Sequence, residues 1–167
     1  MQQELFKLIR KQHFGISIYT EEIFERRCQE EIIRSDEDKS SFVYLEFDFN
    51  TIEKFLKSRE TYIQFWEVFF AALNKNSRRS DVIGFLEKGT GLGMLLLDSK
   101  IEGWIRVRGR LLQTASDMNF SGMSELLASI MKPIVYPACV TDAQDINAIS
   151  SIPKDLPNSS AKAVLSN

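Results

Sequence analysis

Three clusters of side chains in this sequence have the types and spacing to do chemistry. Glu46 and Asp48 lie two residues apart in "SFVYLEFDF", so on a strand both carboxylates share a face and could hold a divalent cation. Arg78-Arg79-Ser80-Asp81 sets two guanidinium groups beside a carboxylate just ahead of "VIGFLE". Gly89, Gly91 and Gly93 follow within "EKGTGLG", the composition of a phosphate cradle, with Glu87 just before them. Together these residues pose the question of a nucleotide site. His13, Cys28 and Cys139 complete the inventory of reactive groups.

Each group also has an ordinary reading. Glu46 and Asp48 are equally a solvated strand end. Asp81 is equally a turn residue that caps backbone N–H groups. The glycines lie between two strands, and so lack the helix N-terminus that lets a glycine-rich loop bind phosphate. Turn geometry accounts for Gly89 and Gly91. Gly93, inside the following strand, calls for a bulge or a close neighbour. Cys28 and Cys139 form no CxxC pair and read as reduced thiols. With a single histidine, neither a zinc centre nor a Ser-His-Asp triad is expected.

The elements that would position these residues follow from periodicity. "QQELFKLIRKQH" places Leu5, Phe6, Leu8 and Ile9 as in a short amphipathic helix, ended by Gly15. Thr20 is the expected N-cap of a second helix, "EEIFERRCQEEIIRS", whose acidic start suits the helix dipole. "SFVYLEFDF" is β-branched and aromatic, a strand with Val43, Leu45, Phe47 and Phe49 on one face and Phe42, Tyr44, Glu46 and Asp48 on the other. Asn50 and Glu53 fit a capping box opening one helix to about Asn74. Phe65 and Phe69, with Tyr62, widen its apolar stripe to about half the circumference. So wide a stripe needs a second covering besides the sheet: the N-terminal helix or a second protomer.

Next come the hairpin strands "DVIGFLE" and "LGMLLLD", then a helix "SKIEGWIRVRGRLLQTAS" with Ile101, Trp104, Ile105, Leu111 and Leu112 as core candidates. "GMSELLASIM" reads as a short helix and "KPIVYPACV" as an edge strand with Pro133 at its start and Pro137 inside it. The order strand, helix, strand, strand, helix, strand is an α+β, ferredoxin-like βαββαβ plan. It predicts a mixed, mostly antiparallel sheet with its helices on one face and the Tyr44, Glu46, Asp48 face more open. Residues 1–17 are expected as a helical extension, 18–140 as the folded domain and 141–167 as a polar tail.

A chain of 167 residues with 44% hydrophobic and 26% charged residues can build a full core. A net charge of −2 argues against a nucleic-acid binder. No apolar run approaches the roughly 20 residues of a membrane span, and the N-terminus lacks a secretory pattern, so the cytoplasm is the expected compartment.

"FERRCQEEIIRSDEDKSSFVYLEFDFNTIEKF" and "RRSDVIGFLEKGTGLGMLLLDS" resemble the GGDEF domain, the diguanylate-cyclase branch of the nucleotidyl-cyclase fold. The likeness spans about residues 18 to 140. It extends to the degenerate GGDEF-like modules found with bacterial exopolysaccharide glycosyltransferases. Joining two GTP molecules needs carboxylates to hold metal ions around triphosphate. Asp48 matches the first of the family's paired aspartates, whereas Asn50 stands at the second. Where the family carries its acidic hairpin signature, this chain has Gly89, Thr90, Gly91 and Leu92. The resemblance therefore implies a catalytically inactive module, with Glu46 and Asp48 at most a weak, vestigial Mg²⁺ site and no required cofactor. Arg78 and Asp81 match the ends of the family's inhibitory Arg-x-x-Asp motif, which implies cyclic di-GMP as a ligand of Arg78, Arg79 and Asp81. Guanidinium groups grip phosphate or the guanine edge, and a carboxylate accepts from guanine N–H groups. The competing expectation is a protein-interaction or dimerisation module docking through Phe65 and Phe69, with no nucleotide bound.

Overall fold

The computed structural model of the chain describes residues 1–12, 14–76 and 81–137. His13, Arg78, Arg79, Cys139 and the expected tail 141–167 lie outside the described residues, so the readings made on them have no structural counterpart here. The elements run α1 (Gln2–Lys11), α2 (Glu21–Asp38), β1 (Phe42–Asp48), α3 (Phe49–Leu56), α4 (Arg59–Asn76), β2 (Val82–Phe85), β3 (Gly91–Leu96), α5 (Ile101–Asp117), α6 (Met123–Ile130) and β4 (Ile134–Tyr136), with a 3₁₀ turn at Glu87–Gly89 between β2 and β3.

The four strands form one sheet in the order β2-β3-β1-β4. All three strand pairs are antiparallel, and a parallel bridge from Tyr19 to Gly84 adds to the β2 edge. β4 lies at the other edge, where its flanking prolines cost no ladder hydrogen bonds. The order and directions are those of the βαββαβ plan.

Both faces of the sheet are covered, and this departs from the expectation of an open face. Val43, Leu45 and Phe47 of β1, with Leu92, Met94 and Leu96 of β3, pack against α1 and α3 to α6 in one large core. On the opposite face Phe42, Tyr44, Leu95 and Ile134 meet Phe24 and Ile32 of α2. The reason is local. Phe42 and Tyr44 make that face aromatic, and α2 supplies an apolar stripe at Phe24, Cys28 and Ile32, one residue per turn.

Glycine lets α2 approach. Gly84 and Gly93 are direct cross-strand partners. A Cβ on Gly93 would fall 2.2 Å from Phe24 Cε1, and one on Gly84 would fall 2.3 Å from Phe24 Cβ. The close neighbour that Gly93 called for is thus the Phe24 ring. Further along, Arg34 ties α2 to the end of β3 by pairing with buried Glu31 and, at 2.9 Å, with Asp98.

The helix expected from Asn50 to Asn74 is two helices, broken where Lys57 adopts a left-handed conformation. The cap is Asp48 rather than Asn50: its Oδ1 accepts from the Thr51 amide at 2.7 Å. In α5, Trp104, Val107 and Leu111 face the core, whereas Ile101 and Ile105 are exposed. Two apolar residues one turn apart were therefore misassigned to the interior.

Candidate functional site

The C-terminal end of β1 and the β2–β3 turn lie at the same end of the sheet, since Asp48 pairs with Gly91 and Phe85 with Leu92. Asp48 and Glu87 thus come to one end of the sheet. Asp81 directly precedes β2 and so sits at the far end of that strand, roughly 15 Å away at about 3.3 Å per residue. The structure therefore separates Asp81 from the acidic edge.

At the acidic edge the polar groups are already engaged. Asp48 caps α3. Glu46 accepts from the Tyr44 hydroxyl at 2.6 Å. Glu87 pairs with Lys88 at 3.0 Å, both well exposed. Among the described residues no group of three or more His, Cys, Asp or Glu converges to hold a metal ion.

The turn itself is closed inward. Lys88 and Gly89 both have positive φ, at 54° and 64°. The Gly89 amide donates to Leu86 O, and the Thr90 amide to Glu87 O. The Lys88 amide, which a phosphate would need, donates instead to the Glu21 carboxylate of α2 at 3.0 Å. Gly91, expected at positive φ, lies in β3; its requirement is close approach, because a Cβ there would be 2.5 Å from Phe47 O.

Across this edge lies α1. Leu5, Leu8 and Ile9 are buried in the main core. Phe6 meets the Phe85 ring edge-on at 5.6 Å, and the Gln2 amide sits against Gly89. At the other side Glu4 pairs with Arg59, and the Tyr62 hydroxyl donates to Met1 Sδ at 3.3 Å. The Arg59 guanidinium holds the Glu4 carboxyl below its ordinary range. So α1 bridges the β2–β3 turn and the first turn of α4, and it supplies the second covering that the aromatic stripe demanded.

Phe65 and Phe69 are fully buried, Phe69 meeting Phe47 of β1 edge-on at 4.7 Å and Phe65 facing Phe120 at 6.4 Å. They cannot form a docking surface in this fold, which corrects the expectation placed on them. Their stripe is wide because it lines an interior on both sides.

Behind the sheet, burial pushes the Cys28 thiol up to about 12, with Glu25 and Glu46 adding to the effect. Its folded value lies above the usual 9, so the stability it contributes is complete below pH 9 and is lost as pH rises toward 12. Alkylation of Cys28 by iodoacetamide near pH ~8 should therefore be far slower in the folded protein than in the urea-unfolded chain. Equal rates, read from the modified Cys28 peptide by mass spectrometry, would contradict this placement.

The wide stripe of α4 led to the N-terminal helix as one of two expected coverings, but its reach to the β2–β3 turn was not read from the sequence, and neither was the α2 covering. A signal for the latter existed in the match between an aromatic strand face and Phe24, Cys28 and Ile32.

No protein-family model and no curated protein matches the chain. Solved structures do. The chain is similar to the GGDEF domain of TpbB (YfiN) from Pseudomonas aeruginosa, at 16% identity and a TM-score of 0.45 over 72% of this chain and 73% of that one. It is also similar to a DGC protein from Thermotoga maritima, at 12% identity and a TM-score of 0.44 over 82% of this chain and 97% of that one. A third is the diguanylate cyclase SiaD of Pseudomonas aeruginosa, solved with its activator SiaC, at 18% identity and 0.43, covering 68% of this chain and 46% of that one. The activities and the activator in those names belong to those proteins.

Proposed function

We propose that this chain is a non-catalytic regulatory module on a GGDEF-like fold, with cyclic di-GMP as its ligand at Arg78, Arg79 and Asp81. The observation that supports it above all is the fate of Asp48. Asp48, at the end of β1, caps α3, and the turn opposite it offers a single carboxylate, Glu87, already paired with Lys88. Two metal ions around a triphosphate need several convergent carboxylates, and α1 already lies across the edge where they would stand. Asp81, by contrast, stands at the opposite end of β2, clear of that edge. By the sequence resemblance, the setting of the module is bacterial exopolysaccharide synthesis.

Calorimetry separates the ligand from its absence. Wild-type protein titrated with cyclic di-GMP in Mg²⁺ buffer should release or absorb heat with saturation. Arg78→Ala should weaken binding by about tenfold or more, the loss of charge-assisted hydrogen bonds at about 1.5–3 kcal/mol. No heat from wild type at high micromolar ligand would leave a protein-interaction module instead. That second reading is favoured by exposed Ile101 and Ile105, which stand one turn apart on α5.

A further inference from the structure

Between α2 and the sheet lies a cavity of ≈ 390 Å³, within the roughly 300–1,000 Å³ range of small-molecule sites. It exists because α2 is pinned at both ends: Glu21 holds the Lys88 amide beside β2, and Tyr136 of β4 donates to Asp36 at 2.9 Å. The helix therefore spans the sheet and leaves space under its middle. Phe42, Tyr44, Leu95 and Ile134 give the space an apolar, aromatic floor, and Cys28 and Ile32 line its wall.

Its charge is one-sided. Glu21, Glu25 and Glu87 line the cavity, and no lysine or arginine does. Lys88 engages Glu87 from outside the lining, and Glu21 is held by the Lys88 amide, but Glu25 has no ion pair with a base among the described residues. The negative potential reaches inside, since Glu25 and Glu46 both act on the Cys28 thiol. A phosphate or carboxylate would meet like charge there, whereas an ammonium group meets carboxylates and aromatic faces.

We propose that this cavity binds a small organic cation, an ammonium head on an apolar, ring-bearing body. The body lies on the Phe42, Tyr44 and Ile134 floor, and the head faces Glu25 at the mouth. This site is distinct from the Arg78 to Asp81 turn and holds whether or not a cyclic dinucleotide binds there. It also excludes a cyclic dinucleotide, whose phosphates are anionic.

Three probes of matched shape test it: 3-phenylpropylammonium, 3-phenylpropanol and 3-phenylpropanoate, each titrated into the ¹⁵N-labelled protein. The ammonium probe should give saturable amide shifts at Cys28, Ile32, Tyr44 and Ile134. The alcohol should bind more weakly and the carboxylate should leave those amides unmoved. Glu25→Gln, a change at a solvent-facing side chain, should weaken the ammonium probe about two- to fivefold, as for a partly exposed ion pair, and leave the alcohol unchanged. Three probes binding alike, an ammonium probe whose shifts fall elsewhere, or one that shifts nothing at millimolar concentration would each overturn the proposal.

Discussion

Trp66→Ala should cost about 3–5 kcal/mol of stability, the range for truncating a fully buried aromatic. Trp66 is fully buried and touches five other rings: Phe49, Tyr62, Phe65, Phe69 and Phe70. Phe49, Tyr62, Phe65 and Phe69 meet it edge-on, the geometry that adds about 0.5–1.5 kcal/mol per pair beyond area alone. For a domain of this size, each kcal/mol moves the thermal midpoint by about 2–4 °C, so the loss should approach ten degrees or exceed it. Trp66→Phe keeps a ring in the cluster and should cost well under half as much. Thermal unfolding followed by circular dichroism measures both. Equal midpoints for Trp66→Ala and wild type would mean that α4 does not face the core as described.

Gly93→Ala should destabilise by about 1–3 kcal/mol, the cost of forcing neighbouring side chains and backbone to shift, although it adds a single methyl group to a strand. The methyl would fall 2.2 Å from Phe24 Cε1, and the base of that side chain is itself held against Gly84. The expectation carries its own control. In a Phe24→Ala background the added methyl has room, so Gly93→Ala should then be nearly neutral or favourable, because alanine loses less chain entropy than glycine. A double-mutant cycle reads this coupling directly. The same cost in both backgrounds would show that Phe24 is not what Gly93 accommodates.

These two residues also show what the sequence discloses and what it withholds. The alternation of Val43, Leu45 and Phe47 against Phe42, Tyr44 and Glu46 was enough to place β1, and with the order of elements it led to the right plan. Alternation says which residues share a face, but not whether that face is covered. The covering of Tyr44 by α2 depends on Gly84 and Gly93 being opposite one another, and that is a matter of register between β2 and β3. In the same way, 100° periodicity identified the wide stripe of α4 without locating the break at Lys57, since a left-handed lysine carries no periodic signal.

The acidic edge was legible in part. The absence of an acidic pair at Gly89 to Leu92 is visible in the residues themselves. That Asp48 would be consumed as the α3 cap, displacing the role expected of Asn50, depended on where the strand ended. That α1 would bridge the turn and α4 depended on contacts between segments more than fifty residues apart, such as Glu4 with Arg59. Exposed Ile101 and Ile105 misled because an apolar residue at helical spacing is normally taken as core, whereas α5 turns them outward.

Whether this edge performs chemistry is answered most directly by turnover. The purified chain is incubated with GTP and Mg²⁺, and the nucleotides are separated by chromatography against a protein-free control. With Asp48 engaged by α3, no acidic pair in the turn and α1 laid across both, GTP should remain intact and no cyclic dinucleotide should form. Accumulation of cyclic di-GMP above the control would contradict a non-catalytic module.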